Sequence, residues 1–272
     1  MTPRFAVIGN PVAHSRSPEI HAAFSEQTGI RLSYERLLAP LDGFRACVFA
    51  FRSGGGCGAN VTLPFKLEGF DIATQVSERA RQAGAVNTLK FSGLEILGEN
   101  TDGAGLVRDI RDNLGFPLEG KRVLLVGAGG AARGVIAPLL AERPEVIALS
   151  NRTFSRAEQV ATQFRDAGNL IAVPLAELPS LHFDIIINAT SASLDSSLPV
   201  VPRGAFGQGS LAYDMMYGKG LTPFMQMAQQ AGAKVADGLG MLVEQAAESF
   251  MIWHGIRPRT DSVLAKLRQS CN

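Results

Sequence analysis

The chain has 272 residues, more than one domain of usual size, so two domains that each bury a core are expected. Its 26 Lys and Arg residues nearly balance 25 Asp and Glu residues, which excludes a broad electrostatic field for nucleic acid or an anionic membrane surface. Three cysteines without ligand-like spacing (Cys47, Cys57 and Cys271), a first apolar run too short for a signal peptide and the lack of a long apolar stretch favour a cytoplasmic protein with reduced thiols.

Short runs rich in Val, Ile and Leu alternate with longer stretches of helical period. This alternation is typical of βα units that build a mostly parallel sheet. The predicted strands are, in chain order, residues 5–9, 34–39, 58–63, 122–126, 146–149, 185–189 and 211–214.

Several predicted helices have recognisable ends. Ser17, which precedes a proline, predicts a helix start with Ser17 as the N-cap, and Gly29 predicts the end of that helix. Thr222, also before a proline, and Gly232 bound another helix in the same way. Residues 240–254 have a long helical pattern that ends at a glycine and that can pack on either half of the chain.

A glycine-rich turn lies near the middle of the chain. Gly127, Gly129 and Gly130 directly follow an apolar strand and precede a helical run, and Ala132 takes the third position of a GxGxxG/A pattern. Glycines let the backbone approach a pyrophosphate, whose charge meets free N–H groups at a helix N-terminus. We therefore expect a dinucleotide site, with a domain boundary just before the turn. The alternative is an ordinary strand-to-helix turn.

The segment ALSNRTFSR follows the next predicted strand, about twenty residues after the glycines, where an NAD enzyme has an acidic residue. This chain has Arg152 and Arg156 instead. Ser155 and Glu158 predict a capping box, and a helix that starts near Ser155 would direct both guanidinium groups at one phosphate. The pattern favours the 2′-phosphate of NADP over NAD. Two solvated arginines at a helix start are the alternative.

Polar loops punctuated by glycine follow strands in the first half of the chain, and such loops build sites. With other segments they resemble the motifs of the shikimate dehydrogenase family nearly from end to end. The motifs are GNPVAHSRSP, NVTLPFK, GAVNT, NTDG, GAGGAARG, NRT, INAT, YDMMY, KGLTPF and DGLGMLVEQAA.

This resemblance implies a two-domain α/β fold. A Rossmann-type, doubly wound NADP-binding domain at residues 104–237 would be inserted in an α/β substrate-binding domain formed by residues 1–103 and 238–272. It also implies the NADP-dependent, reversible reduction of 3-dehydroshikimate to shikimate, a step of the shikimate pathway to chorismate and the aromatic amino acids.

The resemblance assigns catalysis to Lys66, the last residue of NVTLPFK, and to Asp102 of NTDG. Ketone reduction needs a proton at the developing alkoxide, and a lysine ammonium supplies both a proton and positive charge. Asp102 would orient Lys66 and could bind a substrate hydroxyl. From the residues alone, Lys66 can also be a solvated surface charge and Asp102 a helix N-cap.

By the same resemblance, Ser15 and Ser17 hold the substrate carboxylate, which the positive end of the following helix would favour. Further polar side chains bind the ring hydroxyls, since a polyol demands several fixed hydrogen-bonding groups. Read individually, each is a satisfied polar residue or a half-buried aromatic. These further substrate contacts are Asn60, Thr62, Asn87, Tyr217 and Gln245.

The implied cofactor site extends beyond the glycines and arginines. Met215 near the cofactor ring is equally explained as a core residue. Ser193 stands where the family usually has glycine, which leaves the geometry of the loop near the nicotinamide open. The cofactor contacts are Gly127, Ala128, Gly129, Gly130, Ala131, Asn151, Arg152, Thr153, Arg156, Thr190, Met215 and Gly238.

Two other functions remain possible from the sequence. A broader shikimate and quinate dehydrogenase needs room for the C1 hydroxyl of quinate beside the two serines. A ligand sensor that regulates transcription is disfavoured by intact Lys66 and Asp102 and by the lack of a basic face or DNA-binding extension. The four histidines form no ligand cluster, so no metal is expected. The expected partner is a small molecule, with no nucleic acid or membrane, for a monomer or homodimer.

Overall fold

The computed structural model describes residues 2–190, 201–218 and 220–271. The chain divides into two compact units, Met1–Gly105 with Leu242–Lys266, and Leu106–Met241 with Leu267–Asn272. Which unit binds the substrate and which binds NADP, with the boundaries given above, stays a prediction. No helix within the described ranges is long and apolar enough to cross a membrane.

Strands and helices alternate along most of the chain. The strands are β1 (Arg4–Gly9), β2 (Ser33–Leu38), β3 (Gly56–Val61), β4 (Gln75–Val76), β5 (Thr88–Ser92), β6 (Glu95–Glu99), β7 (Arg122–Val126), β8 (Val146–Ser150), β9 (Leu170–Ala172), β10 (Phe183–Asn188), β11 (Phe206–Asp214) and β12 (Lys234–Asp237). The α-helices are α1 (Ser17–Thr28), α2 (Phe44–Ser53), α3 (Lys66–Ile72), α4 (Glu78–Ala83), α5 (Asp102–Arg108), α6 (Gly130–Ala141), α7 (Phe154–Gln163), α8 (Pro223–Gln230), α9 (Leu239–His254) and α10 (Asp261–Cys271). A π-helical turn, Asp109–Asn113, follows α5.

The first unit is built on a mixed sheet with the strand order β2-β1-β3-β5-β6-β4. Strand β5 runs antiparallel to both β3 and β6, and the other neighbours are parallel. One sheet face packs on α2 and α3, where the rings of Phe44 and Phe65 stack 4.8 Å apart. Because β5 is reversed, it begins at the same sheet edge at which β1, β3 and β6 end. Loops from four strands therefore meet at that edge.

The second unit has a wholly parallel sheet with the order β12-β11-β10-β7-β8-β9. From the central pair β7 and β10, successive strands are added outward on opposite sides, which is the doubly wound order of dinucleotide-binding sheets. Alternate residues of β7 enter two different apolar cores, Val123 and Leu125 on one face, Leu124 and Val126 on the other. Ligands bind such sheets at the carboxyl ends of the central pair of strands, where the glycine-rich turn lies.

The α/β class and all the predicted strands are confirmed, with bounds that shift by a few residues. The sequence missed the short or polar strands, because two or three residues, or a mixture such as EILGE, show no clear period. The missed strands are β4, β5, β6, β9 and β12.

Two predicted helix ends are confirmed. Helix α1 ends at Gly29, whose φ of 72° suits glycine, and the Oγ1 of Thr222 accepts a hydrogen bond from the Met225 amide at the start of α8. The long pattern at residues 240–254 forms α9.

Two predicted caps are wrong. Arg16 takes the cap position of α1, since its carbonyl accepts the Ile20 amide, and Ser17 is the first helical residue. Helix α7 begins before Ser155, at Phe154, and the Asn151 side chain donates to the Thr153 carbonyl in the preceding turn. Thr153, which is at the cap position, makes no side-chain cap bond, so no capping box forms.

Candidate active site

Lys66 and Asp102 form an ion pair at the strand edge of the first unit. Lys66 begins α3 soon after β3, and Asp102 begins α5 soon after β6. Their Nζ and Oδ2 atoms lie 2.5 Å apart, and the side chains are 25% and 12% exposed. Lys66 is therefore not a solvated surface charge. Asp102 is the first helical residue of α5 and not its N-cap, since the Thr101 carbonyl accepts the Gly105 amide. The Asp102 carboxylate accepts from Lys66 and from Asn87.

The ammonium of Lys66 keeps hydrogen-bonding capacity. It carries three N–H donors, and within the described residues it bonds only Asp102. A quarter of the side chain is exposed, so a substrate oxygen can reach the remaining donors. Asp102 fixes the direction of the ammonium and balances its charge. The pair is thus arranged to donate a proton to an oxygen that gains negative charge.

Asn87 fixes the other oxygen of the Asp102 carboxylate. Its Nδ2 donates to Asp102 Oδ1 at 2.8 Å and to Thr101 Oγ1 at 2.9 Å, with Gln245 Oε1 at 3.3 Å. Its Oδ1 accepts from the Thr101 backbone amide at 2.9 Å. A carboxylate can only accept and a backbone amide can only donate, so this orientation of the Asn87 amide is the one that satisfies both.

Asn60, in β3, is held in the same way. Its Nδ2 lies 2.9 Å from Ser249 Oγ, 3.1 Å from Thr88 Oγ1 and 3.2 Å from the Asn87 carbonyl. Its Oδ1 accepts from the Tyr34 hydroxyl at 2.7 Å. Burial raises the pKa of Tyr34, so its hydroxyl stays protonated and remains a donor. The two Nδ2 hydrogens are used within the protein, and only Oδ1 keeps a free lone pair for a ligand.

Four members of this buried network were missed by sequence reasoning. Thr88 follows Asn87 in GAVNT and Thr101 precedes Asp102 in NTDG, so their positions next to predicted site residues could have identified them. Ser249 lies four residues after Gln245, on the same face of α9, and its hydroxyl contacts Thr88 at 2.8 Å. Tyr34 gives no local signal, because its partner is 26 residues away.

Ser15 and Ser17 lie beside the N-terminus of α1. Their hydroxyl oxygens are 3.2 Å apart, and Ser15 Oγ accepts from the Ser17 amide at 3.3 Å. Two hydroxyls beside the positive end of a 12-residue helix suit an anionic group.

Thr62 lies in the loop after β3, where its hydroxyl makes no hydrogen bond within the described residues. Its Cγ2 is 2.3 Å from where a side chain on Gly9 would begin, so the close approach of the two strand ends requires glycine at position 9.

His21, one of the four histidines, is wholly buried in α1, four residues after Ser17. Its ring stacks on Tyr34 at 4.3 Å, and neither ring nitrogen has a hydrogen-bond partner among the described residues. Burial, with a smaller contribution from the charge of His254, lowers the pKa of His21 to about 3. His21 is therefore neutral at physiological pH.

In the second unit, the glycine-rich turn leaves open space before α6. Gly127 has a φ of 111°, and a side chain there would begin 3.2 Å from the Ala189 carbonyl. No atom lies within 4 Å of where side chains on Gly129 or Gly130 would begin, and no side chain caps this 12-residue helix. Open space before uncapped amides fits a pyrophosphate. The neighbours Ala128 and Ala131 complete the turn.

Arg152 and Arg156 are exposed, and neither side chain has a hydrogen bond or ion pair within the described residues. Arg152 precedes α7, which begins near Ser155 as predicted, and Arg156 lies in its first turn. Asn151 and Thr153 form the turn between β8 and α7. Two unpaired guanidinium groups after β8 fit a dianionic phosphate.

Three other predicted cofactor residues lie close together after β10, β11 and β12. Thr190 donates to Asn188 Oδ1 at 2.7 Å, and the Met215 amide donates to the Asn188 carbonyl at 3.0 Å. A side chain on Gly238 would begin 2.2 Å from the Met215 carbonyl, so glycine is required. Tyr217 is half-buried in this unit. Ser193 lies outside the described residues.

Comparisons with known proteins identify the family. Three family models match: "Shikimate dehydrogenase substrate binding domain" at residues 7–89, "Shikimate / quinate 5-dehydrogenase" at 110–208 and "Shikimate 5'-dehydrogenase C-terminal domain" at 238–268. A protein of Nitrosospira multiformis named shikimate dehydrogenase (NADP(+)) is 58% identical over 271 residues, 99% of this chain and 98% of its own length. The chain belongs to the shikimate dehydrogenase family.

Solved structures of shikimate dehydrogenases and similar proteins share the fold. An Ael1 enzyme from Pseudomonas putida is 47% identical, with a TM-score of 0.94 and 98% of each chain covered. The shikimate 5-dehydrogenase of Thermus thermophilus, solved in complex with NADP(H) and shikimate, is 34% identical, with a TM-score of 0.87 over 98% of this chain and 99% of that one. Among the described residues, no group of three His, Cys, Asp or Glu side chains could hold a metal ion.

Proposed function

We propose that this chain catalyses the reversible, NADP-dependent reduction of 3-dehydroshikimate to shikimate on the route to chorismate and the aromatic amino acids, with Lys66 and Asp102 handling the proton. The observation that carries this proposal is the partly exposed Lys66–Asp102 pair, with a spare donor on its ammonium, at an edge lined by fixed polar groups.

Bound NADPH supplies the hydride that reduces the C3 carbonyl carbon. As the carbonyl oxygen becomes an alkoxide, Lys66 Nζ stabilises its charge and gives it a proton, which completes the hydroxyl. Asp102 holds the ammonium in position throughout. In the reverse direction, neutral Lys66 takes the proton of the C3 hydroxyl. Lys66 is then reset by exchanging a proton with solvent.

The remaining polar groups position the substrate. Ser15 and Ser17 bind the carboxylate. Asn60 Oδ1 accepts a hydrogen bond from a substrate hydroxyl through its second lone pair, and the unbonded hydroxyl of Thr62 donates or accepts as needed. Gln245 has one Nε2 hydrogen left after its bond to the Leu242 carbonyl. Asn87 and Tyr217 complete the predicted set, which suits a polyol.

The residues that would hold NADP fit the group chemically. The open, uncapped N-terminus of α6, with Ala128 and Ala131 beside the glycines, would bind the pyrophosphate, and Arg152 and Arg156 the 2′-phosphate, with Asn151 and Thr153 at the ribose. Thr190, Met215 and Gly238 would line the nicotinamide side. We also propose a cytoplasmic location, supported by the free thiols of Cys47 and Cys57, and a monomer or homodimer.

An assay with the purified protein tests this function. Shikimate and quinate are each oxidised with NADP⁺ and with NAD⁺, and the near-ultraviolet absorbance of the reduced cofactor is followed. We expect turnover with shikimate and NADP⁺ and little with the other pairs. Comparable turnover of quinate supports the broader shikimate and quinate dehydrogenase, and no turnover in any pair contradicts the proposal.

A further inference from the structure

Arg36 is anchored to the serine loop. Its Nε and Nη2 donate to the Ser15 carbonyl at 2.9 and 2.6 Å. Arg36 lies in β2, opposite Val7 of β1, and the serine loop follows β1. The guanidinium therefore crosses from the edge strand to the residue that carries one of the two serine hydroxyls.

The charge of Arg36 has no carboxylate partner within the described residues. The nearby acidic groups are already paired, since Glu35 bonds Arg4 at 2.9 Å and Glu19 bonds Arg16 at 2.8 Å. Of the five N–H donors of Arg36, the two toward Ser15 leave three without a protein acceptor. A full positive charge is thus held at the backbone of Ser15, the residue that carries one of the two hydroxyls.

Two serine hydroxyls alone are weak recognition for a carboxylate, because each gives one neutral hydrogen bond. A fixed guanidinium adds attraction that reaches beyond hydrogen-bond distance and favours anions over neutral analogues. Arg36 is exposed, so salt must weaken this attraction.

We propose that Arg36 is a specificity-determining residue of this enzyme. It holds Ser15 through the backbone carbonyl, and its charge selects substrates that carry a carboxylate at the Ser15–Ser17 pair. The inference rests on the proposed function, because it takes those serines as the carboxylate site.

The test compares Arg36→Gln and Arg36→Lys with the wild type in shikimate oxidation at low and high salt. Arg31→Gln is the matched control, because Arg31 is also exposed and unpaired among the described residues but precedes β2 at the other end of the strand. The neutral methyl ester of shikimate is the second ligand, measured as a substrate or as a competitive inhibitor.

We expect Arg36→Gln to raise the KM for shikimate about tenfold, the worth of one charge-assisted contact, with kcat and the KM for NADP⁺ within about twofold of the wild type. The apparent affinity for the ester, which can lose only the anchoring of Ser15, should fall much less than that for shikimate, and the salt dependence of the shikimate KM should flatten. Arg36→Lys should recover part of the loss because it keeps the charge.

Three outcomes overturn the inference. The first is a shikimate KM of Arg36→Gln equal to that of Arg31→Gln. The second is an equal loss of affinity for the ester and for shikimate, which would make Arg36 only a loop anchor. The third is a wild-type KM for shikimate that does not change with salt. The salt series on the wild type remains decisive if Arg36→Gln does not fold. A wild-type protein inactive on shikimate contradicts the proposed function instead.

Discussion

Polar groups are arranged in opposite ways in two regions, around Lys66 and Asp102 in the first unit and at the Arg152–Arg156 turn in the second. Around Asp102, the buried amides and hydroxyls bond one another across five segments of the chain, including the strand that carries Tyr34. At the turn after β8, both guanidinium groups are exposed and unbonded within the described residues. The first region is preorganised by bonds within the protein, and the second has donors that are available to an external anion.

The difference matches the ligands proposed for the two regions. A polyol is distinguished by the positions of its hydroxyls, so the groups that read them must be held rigidly. A phosphate is distinguished by charge, so unpaired cations are enough. Substitutions in the first region should therefore change catalysis and substrate binding, and substitutions in the second should change only the choice of cofactor.

Lys66→Ala should have the largest effect. Removal of the proton donor and its charge should lower kcat about a thousandfold, with a far smaller change in the KM for shikimate. Steady-state kinetics in both directions measure this. Lys266→Ala, which removes an exposed lysine of the same unit, is the control and should match the wild type. A normal kcat with a raised KM would make Lys66 only an anchor.

Arg152→Ala should weaken only the binding of the cofactor. The KM for NADPH should rise about tenfold to a hundredfold, because a charge-assisted contact with the phosphate is lost, while the KM for NADH stays unchanged. Arg165→Ala removes an exposed arginine of the same unit and should have no effect. A preference for NADH in the wild type would refute the assignment.

Ser249→Ala tests whether the buried network is preorganised for substrate. Asn60 Nδ2 loses its nearest side-chain acceptor, so the shikimate KM should rise about fivefold to tenfold with the NADP⁺ KM unchanged. Ser262→Ala, at an exposed site, is the control for stability and kinetics. A lower melting temperature without a change in the shikimate KM would make Ser249 purely structural.

His21 gives the smallest expected effect, on stability rather than rate. Its pKa is about 3 in the folded protein and has the ordinary value of 6.5 in the unfolded chain, so the unfolded chain binds the proton more readily and stability falls as the pH drops below 6.5. From pH 7.5 to 5 this costs about 2 kcal/mol. His21→Phe should remove that loss in denaturant titrations, and the exposed His182→Phe should not. Equal acid sensitivity of wild type and His21→Phe would contradict the burial effect.

The sequence predicted the parallel strands from apolar runs, the glycine turn from its spacing and the residues of the ion pair from the family motifs. The resemblance predicted that Asp102 orients Lys66, but residue spacing alone could not bring the two together, since their contact depends on the reversal of β5, which brings the ends of β3 and β6 to one edge. Ser249 bonds Asn60 across 189 residues, a contact without a local pattern. The predicted caps at Ser17 and Ser155 are wrong because both residues lie inside their helices, with Arg16 and Thr153 at the cap positions.

The central claim is that Lys66 and Asp102 act as one unit. Comparison of kcat for Lys66→Ala, Asp102→Ala and the double variant tests it most directly. If the pair is one unit, the double variant should be about as slow as Lys66→Ala alone, since Asp102 acts through the lysine. A double variant slower by the product of the two single effects would show that the residues act independently and would contradict the account.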